Sequence, residues 1–262
     1  MKAREQGFTL VELAIALVVI GLLIGGILKG KELIENARVT AAVKQMSEYR
    51  TAAITFRNKY DEYPGDIRDP SMRVPNCTNN PCQQGGNRDD RVNIPWGQYE
   101  VYNFYVHMAR AGMIEDLPGG TDADMANTTS GDALSLFFPR LKLQTATSGL
   151  PVFLRLEYFR MVSGTQPTTS STYCSAISAA SCLHTGTPPS GIDPLTTGHY
   201  YILTTTGAQA ASLDKKMDDG FPASGDMRSY DYTGCHGTGA LTAATPYGLN
   251  VSTCRVKIAA GF

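Results

Sequence analysis

The chain has 262 residues, with 23 basic against 24 acidic side chains and a formal charge of −1. That balance, with no basic stripe carrying interleaved aromatics, excludes a nucleic-acid partner held by bulk charge. No Gly-x-Ser-x-Gly elbow, His-Glu-x-x-His helix, phosphate loop or dinucleotide fingerprint is present, and the four histidines (His107, His184, His199, His236) are scattered, so the sequence points away from an enzyme.

The first element is an apolar run from Phe8 to Leu28 holding a single ionisable side chain, Glu12. At about 1.5 Å per residue it covers about 30 Å, the thickness of a bilayer's hydrocarbon core. The short leader before it, residues 1–7, carries Lys2 and Arg4 against Glu5, a bias that keeps the leader cytoplasmic and sends the rest of the chain outward. A carboxylate inside such a helix costs roughly 2.5–3.5 kcal/mol without a partner, so Glu12 marks a function and requires a counter-ion.

From Lys29 the pattern turns amphipathic, with Leu33, Ile34, Ala37, Ala41, Met46, Tyr49, Ala53, Phe56 and Tyr60 recurring near helical spacing among charged residues. One helix from Phe8 to about Tyr60 is expected, roughly 80 Å long. Tyr63-Pro64 stops it, because a residue before proline avoids the helical region. The chain therefore divides into a leader (1–7), an apolar half-helix (8–28), an amphipathic half-helix (29–62) and a globular remainder (63–262).

Within that remainder, 64–95 reads as a long polar loop. A second helix follows Trp96 and ends at Gly112, with Val101, Phe104, Tyr105, Met108 and Ala109 at helical spacing. Val152 to Val162, His199 to Thr205 and Cys254 to Ile258 read as strands, and the Ser/Thr/Pro/Gly-rich stretch 163–198 as an exposed excursion. The fold class expected is α+β: a long N-terminal helix packed on an antiparallel sheet. The six cysteines all lie in the part predicted to be exported, which fits disulfides. Nearest-neighbour pairing, Cys77–Cys82, Cys174–Cys182 and Cys235–Cys254, is the preferred set, since each pair brackets a turn-rich segment. A zinc site competes less well, because no C-x-x-C pair occurs and His184 and His236 show no ligand pattern.

Leu213-Asp214-Lys215-Lys216-Met217-Asp218-Asp219-Gly220 is the most charged local element. A short helix ending at Gly220 would place Asp218 and Asp219 at its C-terminus, where the helix dipole disfavours negative charge by about 0.3–1 kcal/mol each. Calcium, held by Asp214, Asp218, Asp219 and backbone carbonyls, would compensate, although the spacing is not that of an EF-hand loop. Lys215, Lys216 and Arg228 offer the competing neutralisation. Calcium is the one cofactor the sequence suggests.

The basic leader followed by Gly7-Phe8-Thr9-Leu10-Val11-Glu12-Leu13 resembles the processing signal of type IV prepilins and type II secretion pseudopilins. The resemblance implies a pilin-like fold, cleavage between Gly7 and Phe8 by a membrane prepilin peptidase, methylation of the new Phe8 amine, and retention of the apolar helix. It further implies that Glu12 pairs with the freed amine of a neighbouring subunit. Two opposite charges, each costly in hydrocarbon, are then satisfied only when subunits stagger along a common axis. The implied partners are copies of the chain itself in a helical filament, the peptidase, the inner-membrane assembly platform and minor pilins. A second, less specific likeness to prepilin-like proteins covers Phe56-Arg57-Asn58-Lys59-Tyr60, Pro64-Gly65-Asp66 and the Asp214 to Gly220 element. The implied location is the inner membrane for the precursor, with the body periplasmic, and then an extracellular pilus or a periplasmic pseudopilus. Three functions follow as expectations: a pilus subunit, a secretion pseudopilin, or a membrane-anchored binding protein or enzyme.

Overall fold

The computed structural model describes residues 9–92, 99–115, 117, 119–121, 135–143, 152–159, 198–229, 235, 245–251 and 253–261. Helix α1 runs Leu10–Tyr60 and α2 is a single turn at Pro70–Arg73; α3 is Tyr99–Arg110 and α4 Gly207–Met217. The strands are β1 (Arg140–Leu141), β2 (Val152–Phe153), β3 (Arg155–Phe159), β4 (Gly198–Thr205), β5 (Met227–Ser229) and β6 (Cys254–Ala259). Chain contacts separate two units, Met1–Arg38 and Val39–Phe262.

In the first unit every large apolar side chain from Leu10 to Leu28 stands exposed in the single chain. Among the described residues, α1 is the one helix long and apolar enough to cross a membrane. Leu33 and Ile34, expected to begin the buried stripe, are also exposed.

In the second unit α1 buries Val39, Ala42, Met46, Tyr49, Ala53, Phe56 and Tyr60, spaced alternately by three and four residues on one face. Ala37 and Ala41 were expected in this stripe; Ala42 and Val39 take their places, because stepping back from Met46 by four and then three residues keeps to the same face. The helix ends at Tyr60 because Asp61 turns left-handed (φ 59°) and its N–H bonds to the Arg57 carbonyl, which precedes the Tyr63-Pro64 stop.

Helix α3 is buried all round from Val101 to Met108, its polar Asn103 and His107 included, so both its apolar and its polar side face the interior of the body. It meets α1 through an edge-to-face pair, Tyr49 and Tyr105, with ring centroids 5.5 Å apart, and through stacked Phe56 and His107 rings. Gly112 closes it as expected: with φ +70°, its N–H bonds to the Ala109 carbonyl while the Met113 N–H reaches back to Met108.

The sheet is antiparallel throughout, in the order β3-β4-β6-β5, with β1 and β2 paired separately. The strand expected over Val152 to Val162 is split at Leu154, whose N–H leaves the ladder for the Pro139 carbonyl; its residues beyond Phe159 lie outside the described ones. The central strand β4 buries Tyr200, Tyr201 and Leu203, and β6 buries Cys254, Val256, Lys257 and Ile258. Disulfides join Cys77 to Cys82 and Cys235 to Cys254; Cys174 and Cys182 lie outside the described residues. The architecture is thus α+β, a long N-terminal apolar helix with antiparallel sheets and disulfides.

Candidate functional site

Glu12 lies in the first turn of α1. The Thr9 hydroxyl donates to Glu12 Oε2 (2.8 Å), the Thr9 N–H donates to the same oxygen (2.9 Å), and the Glu12 N–H donates back to Thr9 Oγ1 (3.3 Å). This is a capping box, in which the N-cap hydroxyl and the carboxylate three residues later satisfy each other's backbone donors. The pattern Thr-x-x-Glu at the start of an apolar run is a signal in the sequence for this box, distinct from the counter-ion that the charge of Glu12 requires. The box supplies Glu12 with donors but no positive charge, so its electrostatic requirement stands. Gly7 and Phe8 lie outside the described residues.

The box separates two roles of one side chain. Thr9→Val removes both hydroxyl bonds, a cap loss worth about 1 kcal/mol, and Thr9→Ser keeps them. If the chain assembles as the resemblance implies, filament yield per processed subunit should fall roughly fivefold in the valine chain, as 1 kcal/mol implies, and remain normal in the serine chain; equal yields from both would show the box to be idle.

The segment after α1 is organised by buried polar groups. His107 is fully buried on α3: its Nδ1 accepts the Gly65 N–H (3.0 Å), and its Nε2 faces the Cys82 carbonyl (2.9 Å). The two partners assign the neutral tautomer with hydrogen on Nε2. Asn103, one turn earlier, donates to the Pro81 and Gln84 carbonyls. Asp66 accepts the N–H groups of Arg88, Asp89 and Asp90, while buried Glu62 accepts from Arg73, Arg88 and the Arg68 N–H. Pro64-Gly65-Asp66 therefore acts as a structural hinge point on which the loop Glu62 to Val92 is hung.

Burial pushes the His107 imidazole down to about 4 from its ordinary 6.5, and pushes the Asp66 and Asp214 carboxyls up to about 6 from 3.8. The signs oppose. Neutral His107 contributes stability that is complete above pH 6.5 and is lost as pH falls toward 4, whereas the two carboxyls contribute stability present below pH 3.8 and lost as pH rises through 6. The stability difference between wild type and His107→Gln isolates the first effect. It is expected to shrink on acidification from pH 6.5 to 4, with a slope of up to about 1.4 kcal/mol per pH unit; a pH-independent difference in denaturant titrations would refute it.

Asp214, Asp218 and Asp219 come together at the end of α4, with carboxylate oxygens within 4.8 Å of one another. Donors from the same region meet each of them. Asp214 accepts the Gly220 N–H (3.1 Å) and the Tyr247 hydroxyl (2.7 Å). Asp218 accepts the Asp226 and Met227 N–H groups, and Asp219 accepts the Phe221 N–H and the Ser224 hydroxyl. Arg228 turns its Nε to the Gly225 carbonyl. Amides and hydroxyls thus meet all three carboxylates, and the bonds to Asp218 tie the end of α4 to the start of β5.

Residues 2–28 match the prokaryotic N-terminal methylation motif. The chain carries the prepilin-type cleavage and methylation signal. The signal covers the whole apolar run, so the exposed side chains of Leu10 to Leu28 and the Thr9–Glu12 box belong to the motif itself. No curated protein and no solved structure matches the chain. A prepilin-type signal that includes the apolar start of α1 is consistent with a precursor anchored in the inner membrane.

Proposed function

We propose that the chain is a structural subunit of a type IV pilus-like filament. Its precursor sits in the inner membrane with residues 1–7 in the cytoplasm. Prepilin peptidase cuts between Gly7 and Phe8 and methylates the new amine, and the processed chains polymerise through α1, Glu12 of one pairing with the Phe8 amine of the next. The observation that carries this reading is the motif at residues 2–28, which takes in the start of α1 from Leu10 to Leu28, where the large apolar side chains have no cover in the single chain. Hydrocarbon covers them before assembly and neighbouring helices do so afterwards. A pseudopilin confined to the periplasm is the second reading, since the same motif serves it equally.

Mass spectrometry of sheared cell-surface filaments tests the proposal. Subunits beginning at methylated Phe8 support the pilus; processed chains retained in the periplasm favour the pseudopilin; chains found only uncut in the membrane refute both and leave an anchored binding protein or enzyme. Within the body, Asp214, Asp218 and Asp219 are where a calcium ion would bind, because three carboxylates supply part of the six to eight oxygens it needs. A calcium-dependent rise in melting temperature that Asp218→Asn abolishes would support it, and identical melting in calcium and chelator would remove it.

A further inference from the structure

The geometry points to a soft-metal site formed by Cys77, Cys82 and His107 in the thiol form of the chain, taking one zinc or copper(I) ion before the disulfide closes. The two sulfurs and a ring nitrogen of His107 lie within 4.8 Å of one another, and all three side chains are buried. The Cα atoms of Cys77 and Cys82 are 5.3 Å apart, and four residues separate them, within the range of ligand pairs in structural zinc sites; the third ligand comes from another element, as is common there. Two thiolates and an imidazole select zinc or copper(I) over calcium or magnesium.

The two sulfurs are joined in this structure, and bonds other than the disulfide also hold the loop that carries them. Asn103 holds the Pro81 and Gln84 carbonyls, the Gln84 N–H closes a turn on Pro81, and the Cys77 N–H bonds to Val74. None of these bonds involves a sulfur, so opening the disulfide removes none of them. The chain is synthesised with thiols, so no reductant is needed to reach this state. Binding converts two thiols to metal-bound thiolates and releases two protons. Disulfide closure instead passes two electrons and two protons to a disulfide oxidant, which is reduced to two thiols, and thiolates held by the metal are withdrawn from that exchange.

Binding has a structural cost. Neutral His107 has one ring lone pair, now accepting the Gly65 N–H. A metal takes that lone pair, so the Gly65 amide must let go and the turn at Pro64-Gly65-Asp66 loosens. The metal-bound and disulfide-bonded chains are therefore alternative states of one loop system, the second having the better-fixed turn.

The test uses the full chain in detergent micelles, reduced with a phosphine, freed of reductant without air and titrated with zinc alone. Alkylation of Cys77 and Cys82, followed by mass spectrometry, is expected to slow at least tenfold with one equivalent of zinc, and oxidised glutathione should close their disulfide only after a chelator is added. His107→Gln, whose amide can both donate and accept, should cut this protection tenfold or more. Four results would overturn the site: alkylation indifferent to zinc, protection confined to the other four cysteines, protection unchanged in His107→Gln, or protection that persists in denaturant. The wild-type alkylation pattern decides the matter even if the histidine variant fails to fold.

Discussion

A Glu12→Gln chain is expected to be cut between Gly7 and Phe8 at the normal rate and yet to yield at least tenfold fewer filaments. Glutamine keeps an oxygen that can accept from the Thr9 hydroxyl and N–H, so the capping box survives. Only the charge is lost. If the charge is what pairs with a neighbour's amine, its removal leaves that amine alone in hydrocarbon, at roughly 2.5–3.5 kcal/mol, and about 1.4 kcal/mol is already a factor of ten. In the proposed scheme cleavage precedes assembly and does not involve the Glu12 charge, so the processed fraction, read by intact mass, should not change. Glu12→Ala loses charge and box together and should assemble no better than the glutamine chain. Normal filament yield from Glu12→Gln would refute charge pairing and leave Glu12 as a helix cap.

Gly65→Ala should lower the melting temperature of the body by roughly 10 °C. Gly65 sits at φ +89°, and a Cβ there would stand 2.2 Å from the Glu100 carbonyl oxygen, so helix α3 or the turn must move. Movement of either strains the bond from the Gly65 N–H to His107. Strain of this kind, with a weakened buried bond, costs about 3 kcal/mol or more, and each 1 kcal/mol shifts melting by roughly 2–4 °C at this size. Gly112→Ala is the control: it shares the left-handed backbone, at φ +70°, but its Cβ would meet nothing within 4 Å. It should cost only about 1–2 kcal/mol. Equal shifts in the two variants would show that the approach to Glu100 carries no weight.

The features that depend on neighbours in the sequence were legible from it. Helix α1, its end near Tyr60, the Gly112 cap, β4 and β6 all follow from local periodicity and turn chemistry, and the fold shows them within a residue or two of their expected bounds. Strands β1 and β5 were not expected, because two or three residues carry no period and exist only through their partners. The role of His107 was hidden for a similar reason. Its two partners, Gly65 and Cys82, lie in a loop distant in sequence, so no spacing could announce the meeting of Cys77, Cys82 and His107. At the acidic triad the sequence showed the clustered carboxylates, but not that Tyr247 and the backbone of the following loop donate to them, because those donors carry no charge and lie elsewhere in the chain.

The buried row from Val39 to Tyr60 has a mechanical consequence. Tension applied along α1 at Val39 acts on side chains that are all seated in the core of the body. Loading of this kind is shear, in which the contacts of the row must fail together rather than one after another. The Arg50 guanidinium, bonded to the Gly261 carbonyl, rivets the last described strand's end to the same rod. A body built this way holds to the stretch of α1 from Val39 to Tyr60 along its whole length, the grip that a filament subunit would need.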